Sequence, residues 1–335
     1  MRTADQAGQR KASEILAIDQ RLAFDRLCSA IREEAGRTGG ILLGCSGGLD
    51  SALLALISVR AVGPDKVRLY YLFDQFSSPL QRRHVEHLAT WLGAVLVKTS
   101  IEMEMRRQGV YSTAGMRLTS ISANLNRILI FLFRMFLKDL PFNASLKVGD
   151  ASSRGRRLKE LGLLQVIQQP EQGMNLRHRY RRKVLEDAAR RMDWSLLGAA
   201  NRTEWLTGWF VKDGVDDLPI QPLIGLYKTQ IRDMASFLGM PAAIVSQTPS
   251  PDMLPGITDQ VGLGLPYWKI DIILDALASG HSDLDYAEAR ITSKDVNHVQ
   301  RLVQLSAWKR GCREVHHPVD GGPGGDLRMR NAFHG

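Results

Sequence analysis

The hexapeptide Ser46-Gly47-Gly48-Leu49-Asp50-Ser51 lies between a short apolar run, Ile41–Cys45, and a helical stretch from Asp50 to Arg60, and it narrows the choice of fold more than any other part of the chain. A buried strand, a glycine turn and a helix start, in that order, make an anion site. The glycines let backbone approach the ligand, and the free N–H groups of the helix start carry a partial charge of about +0.5. Ser46 and Ser51 add hydroxyl donors. Asp50 repels a bare phosphate, so its use there is to hold Mg²⁺ against a pyrophosphate. Out of context, Asp50 and Ser51 read as a helix cap after a turn; the preceding strand favours the nucleotide reading. No GK[ST] follows, so this is not a Walker loop, and no G-x-G-x-x-G follows a strand, which disfavours hydride transfer.

The surrounding pattern predicts the frame for such a loop. Spaced apolar positions at Ile15, Ile18, Leu22 and Leu27 predict helix ending near Gly36–Gly40. Val67–Phe73 reads as a second strand, Leu80–Leu92 as a helix, Ala94–Val97 as a third strand, and Trp194–Gly198 as a fourth after a helix from about Leu176 to Met192. The alternation predicts an α/β fold with a doubly wound, Rossmann-like parallel sheet and a helical insertion. Residues 1–111 and 173–310 are then two parts of one nucleotide-binding domain. Residues 112–172 are an insertion of apolar helix and basic loop (SSRGRRLKELG), and 311–335, with GGPGGD, have the composition of a disordered tail. The apolar run Ile128–Leu137 is about half the ~20 residues that span a bilayer and contains Arg134, so a buried or interface helix is expected and no membrane partner.

Composition adds three expectations. With 44 Lys+Arg against 35 Asp+Glu the net charge is +9, which favours polyanionic ligands such as nucleotides. Cys28, Cys45 and Cys312 are too few and scattered for a disulfide framework or a zinc site, so a reducing cytoplasm is expected. The start of the chain, with Arg2, Asp5 and Gln6, shows no apolar signal region or lipidation motif.

The loop SGGLDS resembles the signature of the ATP pyrophosphatases, the PP-loop or adenine-nucleotide alpha hydrolase-like superfamily, which implies cleavage of ATP between the α and β phosphates with adenylation of a substrate. The second half of the chain narrows this. Gly198-Ala199-Ala200-Asn201-Arg202-Thr203-Glu204 with Gly208-Trp209-Phe210-Val211-Lys212 resembles the G-T-x-N-[KR]-x-E…G-[YF]-x-[TV]-K stretch of the NAD synthetase family. Asn175, Arg179 and Arg181 resemble its N-x-x-x-R-x-R helix, and Pro222–Lys228 its PL-x-x-L-x-K. The segment from Pro249 to Asp259, then Gly264, Tyr267, Ile270, Asp271 and Leu274, resembles the family's PSA…DE and LG…Y…ID run, and Ala307–Arg310 falls at its terminal HKR.

The resemblance implies a homodimer that makes NAD, AMP and pyrophosphate from deamido-NAD, ATP and ammonia, with ATP and Mg²⁺ as cofactors. It assigns Asp50, Glu204 and Lys212 to catalysis, with Asp50 and Glu204 as the metal ligands, an oxygen-only pair suited to a hard cation. Ser46, Gly47, Gly48, Asp50, Ser51, Arg179, Thr203, Lys228 and Ser250 go to ATP. Asn175, Arg181, Lys212, Asp216, Asp217 and Asp259 go to the carboxylate substrate. Lys212 would neutralise charge as pyrophosphate leaves, and Ser250 and Asp259 lie in a Pro/Gly-rich stretch that reads as a lid. Taken alone, Glu204 is a solvated helix-face residue, and Arg179 and Arg181 are part of a basic helix face. Neutral ammonia needs no nucleophilic side chain, and no glutaminase domain fits in this length.

The match departs from the family in the loop after Lys212. Gly214, Val215, Asp216, Asp217 and Leu218 occupy the acidic GDGG-x-D positions, with Pro219 at the last aspartate; Ala199 replaces a threonine and Gln260 a glutamate, and Arg82, Arg83 and His84 sit on a helix that is typically acidic. An amide ligase for a different carboxylate is therefore the alternative. A PP-loop tRNA-modifying enzyme is a further one, given nine Arg/Lys against two Asp/Glu between Ser152 and Lys183. The lack of a paired CxxC weighs against nucleic acid. A non-catalytic nucleotide sensor is disfavoured by the retention of both Asp50 and Glu204.

Overall fold

In the computed structural model, which describes residues 2–149, 163–250, 256–279 and 289–310, helices α1 (Arg2–Ile15) and α2 (Gln20–Arg37) lead into strand β1 (Ile41–Gly44). The chain then alternates through α3 (Leu49–Val62), β2 (Val67–Phe73), α4 (Pro79–Leu92) and β3 (Val95–Ser100). Helices α5 (Glu102–Arg107), α6 (Ala114–Ser120), α7 (Ala123–Leu137) and α8 (Pro141–Gly149) follow, and the long α9 (Leu163–Met192) returns to β4 (Ser195–Leu197). The remainder is helical: α10 (Arg202–Thr207), α11 (Lys228–Phe237), α12 (Ala242–Val245), α13 (Asp259–Leu263), α14 (Tyr267–Ser279) and α15 (Ser293–Arg310).

The strands pair in parallel in the order β3-β2-β1-β4, with Ile41 opposite Val67 on one side and Ser195 on the other. Ile41-Leu42-Leu43 is apolar without alternation because both faces of the sheet are covered. Ile41 and Leu43 join a core with α2, α3 and α11, while Leu42 turns to the opposite face against Leu185, Ala188 and Ala189 of α9. A second body of apolar residues, including Trp205, Ile270 and Leu302, packs α10, α14 and α15 together. The direction in which the chain winds reverses between β1 and β4, so their carboxyl ends open a crevice, the expected place for a nucleotide.

A fully buried ion pair locks α9 to the end of β2. Arg177 donates from Nε and Nη2 to the two carboxylate oxygens of Asp74 at 2.6 and 2.8 Å, and Tyr111 OH donates to the same carboxylate at 3.0 Å. Burial opposes the Asp74 charge, yet Arg177 and Arg181 outweigh it and hold its pKa below the usual carboxylate value.

The expected α/β sheet is present, with two adjustments. The third strand runs on to Ser100, and the helix expected from about Leu176 begins at Leu163, passing through Pro170 and Gly173. Tertiary contacts override propensity there: Gln169 accepts from Gly115 N at 2.7 Å, and Gly173 lies against Met116 and Val110. The apolar run Ile128–Leu137 forms most of α7. Phe133 is buried, whereas Ile128, Phe131, Met135 and Phe136 are exposed. Among the described residues no helix is long and apolar enough to cross a membrane. The SSRGRRLKELG segment, Cys312 and the expected tail at 311–335 lie outside the described residues.

Candidate active site

The loop between β1 and α3 is closed on itself by its serines. Ser51 Oγ accepts from Ser46 N at 3.2 Å and donates to Gly48 O at 3.2 Å, and Ser46 Oγ accepts from Gly48 N at 3.2 Å. Gly47 has φ +83°, and a Cβ there would meet the Gln81 carbonyl oxygen at 2.6 Å, so only glycine fits. Gln247 Nε2 donates to Gly47 O at 3.0 Å and ties the 247–250 segment to the loop. Gly48 caps α3 without a side-chain bond, which leaves the N–H groups of the helix start free of a competing cap. Asp50 does not serve as that cap.

Asp50 instead joins a buried cluster built from both halves of the chain. Its carboxylate accepts from Lys228 Nζ at the start of α11 and from Asn201 Nδ2 at 2.9 Å. Asn201 also caps α10, its Oδ1 accepting from Glu204 N at 2.9 Å, so one side chain fixes both acids. Lys228 Nζ reaches Glu204 Oε1 at 3.3 Å, and Tyr267 OH donates to Asp259 Oδ2 at 2.9 Å with Glu204 Oε1 3.4 Å away. Burial disfavours the Lys228 ammonium, but Asp50 and Glu204 outweigh it and raise its pKa. Burial pushes Glu204 up to about 8, against the pull of Lys228 and with the help of Asp50 and Asp259. Asp50, Glu204 and Asp259 thus gather around one ammonium, and burial raises the Asp259 pKa as it does that of Glu204.

This cluster opens onto a cavity of about 770 Å³. Of the residues singled out from sequence, Ser46, Gly48, Asp50, Ser51, Asn175, Arg181, Glu204, Asp216, Lys228, Ser250 and Asp259 lie on its wall. Others stand away from it. Thr203 is fully buried behind the cluster, its Oγ1 donating to Asp271 at 2.5 Å and accepting from Lys228 N at 3.0 Å, so it positions Lys228 from the rear. Burial raises Asp271 to about 6 against the hydrogen bonds of Thr203 and Thr229. Lys212 Nζ donates to Lys309 O at 3.1 Å, and Arg179 is half exposed, 3.8 Å from Asp213. Asp217 is buried and accepts from Asp213 N at 2.8 Å, holding its own loop together. Ser250 Oγ donates to Ile257 O and Asp259 N to Pro249 O, each at 3.1 Å, which pins the base of the expected lid; its tip, 251–255, lies outside the described residues.

The structure also brings in residues that had no assigned role. Asn201, Tyr267 and Lys309 stood inside the quoted motifs, which was the available signal. Lys309 lies on the cavity with Nζ donating to Gly208 O at 2.9 Å and Phe210 O at 2.7 Å, and burial lowers its pKa to about 8. His178, on the cavity wall, fell on an unspecified position of the N-x-x-x-R-x-R helix and carried no signal.

The chain is similar to known proteins along most of its length. A family model described as NAD synthase matches residues 23–126 and 163–312. The NH(3)-dependent NAD(+) synthetase of Thermotoga maritima is 31% identical over 286 residues, 84% of this chain and 94% of that protein. Among solved structures, NMN synthetase from Francisella tularensis aligns with a TM-score of 0.62 at 19% identity, covering 88% of this chain and 96% of that one. NH3-dependent NAD synthetase from Campylobacter jejuni aligns with a TM-score of 0.57 at 20% identity, covering 89% and 100%. The last two likenesses establish the fold, and the family match with the Thermotoga relative establishes descent: the chain belongs to the NAD synthase family.

Proposed function

We propose that this chain is an ATP-dependent ligase that joins ammonia to a carboxylate through an acyl adenylate, with deamido-NAD as the carboxylate and NAD as the product. The observation that carries the reading is the Asp50–Lys228–Glu204 cluster at the open start of α3, at the edge of a cavity large enough for a dinucleotide. The helix start and Lys228 bind and orient the ATP phosphates, the carboxylate attacks the α phosphorus, and pyrophosphate leaves. Asp50 and Glu204 fit a hard dication in donor type and already share one cation, the Lys228 ammonium. Bound Mg²⁺ would supply charge neutralisation at the pyrophosphate. Arg181 and Asn175 on α9 face the same cavity from the side where the carboxylate substrate would lie.

In this reading residues 1–111 and 173–310 form the ATP-binding domain, and 112–172 an insertion that walls the cavity through α7 and α8. The protein works in the cytoplasm as a homodimer, with the exposed apolar face of α7 (Ile128, Phe131 and Met135) covered by a second copy, since soluble monomers rarely leave such patches bare. A second reading keeps the chemistry and changes the acid: the 213–217 loop places Asp216 against His178 on the cavity wall, in the stretch where the family pattern is not followed. The test is a pyrophosphate-release assay with ATP, Mg²⁺, ammonium and a panel of carboxylates headed by deamido-NAD and deamidated NMN. One AMP and one pyrophosphate per NAD, with glutamine inactive as donor, is the expected result. Product from another acid alone would retain the ligase and reject NAD synthesis. ADP and phosphate would reject both.

A further inference from the structure

We propose that His178, oriented by Asp216, is the base that takes the proton from the incoming nitrogen during amide formation. The proposal rests on the amide-ligase reading above and adds a residue to it.

The geometry comes from a loop bound tightly to a helix. Between Val211 and Asp217 the chain turns on itself, Gly214 N donating to Val211 O at 2.9 Å and Asp217 N to Gly214 O at 3.1 Å. Arg182 of α9 donates to Asp217 O at 2.8 Å, and Asp213 N closes onto the Asp217 carboxylate. Gly214 is pressed so close to α9 that a Cβ there would stand 3.0 Å from the Cβ of His178. The loop therefore cannot drift, and it delivers Asp216 Oδ2 to 3.3 Å from His178 Nδ1. The histidine side chain is 12% exposed, and both ring nitrogens, Nδ1 as well as Nε2, are buried without a hydrogen-bond partner among the described residues, so Asp216 faces Nδ1 as a close charge and not as a hydrogen-bonded acceptor. A carboxylate beside Nδ1 favours the tautomer with the proton on Nδ1, which leaves the Nε2 lone pair as the acceptor.

The reaction requires such an acceptor. When ammonia attacks the acyl adenylate, a C–N bond forms, the C–O bond to the phosphate breaks, and its electron pair leaves on AMP. The nitrogen then carries one proton too many, and that proton passes to His178 Nε2. Of the other charged groups near this wall, Asp259 accepts from Tyr267 at Oδ2 and leaves Oδ1 without a hydrogen-bond partner among the described residues, and the rest are committed. Glu171 of α9 accepts from Ser145, and Glu204 of α10 is held by Lys228. Lys309 of α15 donates to two backbone carbonyls, and Arg181 is a permanent cation. Among the described contacts Asp216 is the acid beside His178, and its charge at 3.3 Å favours the ring orientation that turns Nδ1 toward it.

The half-reactions separate this role from a structural one. With the full-length protein, carboxylate-dependent exchange of labelled pyrophosphate into ATP reports adenylation, and amide product reports the second step. His178→Ala is expected to keep exchange near the wild-type rate while amide formation falls about 100-fold or more, the usual size of a general-base effect. The diverted adenylate appears as AMP and free acid, and added imidazole restores part of the amide rate. Asp216→Asn, which keeps the side-chain volume, is expected to lower amide formation less than His178→Ala does, and its exchange rate is not required to stay at the wild-type level because Asp216 also borders the carboxylate substrate. If His178→Ala does not fold, His178→Gln gives the same readout. Wild-type amide formation by the histidine variants overturns the proposal. Equal loss of both half-reactions in a folded variant also overturns it, since His178 would then be binding the carboxylate. A wild type that exchanges pyrophosphate with no acid in the panel overturns both the ligase reading and this one.

Discussion

Asp50 is held at three points, by the first turn of α3, by Asn201 and by Lys228, and only the first is local in the chain. Asp50→Asn keeps the shape but takes the charge from one side of a buried ion pair and leaves the Lys228 ammonium with Glu204, itself pushed up to about 8, so a stability loss of about 3–5 kcal/mol is expected. Turnover is expected to fall about 100-fold or more, because charge stabilisation at the departing pyrophosphate is lost. Urea unfolding and pyrophosphate release measured on the same sample check the ratio, and wild-type release would remove Asp50 from the mechanism. Asp50 and Glu204 could be singled out in the sequence because each sits in a spaced motif, and the structure brings them together at Lys228; holding a hard cation is their proposed role. The bridge between them was not legible. Nothing local in the chain indicates that Lys228, among so many basic residues, inserts its ammonium between two acids, or that Thr203 turns away from the nucleotide toward Asp271. Those outcomes depend on how α10, α11 and α14 pack, and such packing leaves no short-range signature.

The strands were legible for a simple reason: a buried parallel strand is apolar on both faces, and Ile41-Leu42-Leu43 is, as is Val67–Phe73 apart from Arg68. Helix α9 was harder to bound, since Pro170 and Gly173 argue locally against the helix that tertiary contacts sustain. Its anchor to β2 makes a clear expectation. Arg177→Met removes one partner of a fully buried pair and should cost about 3–5 kcal/mol in urea unfolding. The same pair sets an acid limit. The folded-state pKa of Asp74 lies below its ordinary value of 3.8, so the unfolded chain binds the proton first as pH falls. The stability from this pair is therefore complete above about pH 4 and is lost as pH drops further through the lowered value. An Asp74→Asn variant should lack that limb; an unchanged acid limb would assign it to other carboxylates.

The exposed apolar face of α7 is a property of the whole molecule, and the proposed dimer is where it can be tested. Phe131→Glu is expected to shift the protein from dimer to monomer in light scattering, because a charge on that apolar face cannot be desolvated cheaply. A wild type that scatters as a monomer rejects the dimer. The strand order has another consequence, for synthesis in the cell. β1, β2 and β3 are complete once residue 100 has left the ribosome, but the flank of β1 that pairs with β4 stays bare until residue 197 arrives. At about 5–20 residues per second that delay is on the order of 5–20 s. Throughout it the nascent chain carries an unpaired, apolar strand edge, the kind of surface that other chains and chaperones capture. Wrong pairing at that edge is thus a hazard this protein meets well before it meets ATP.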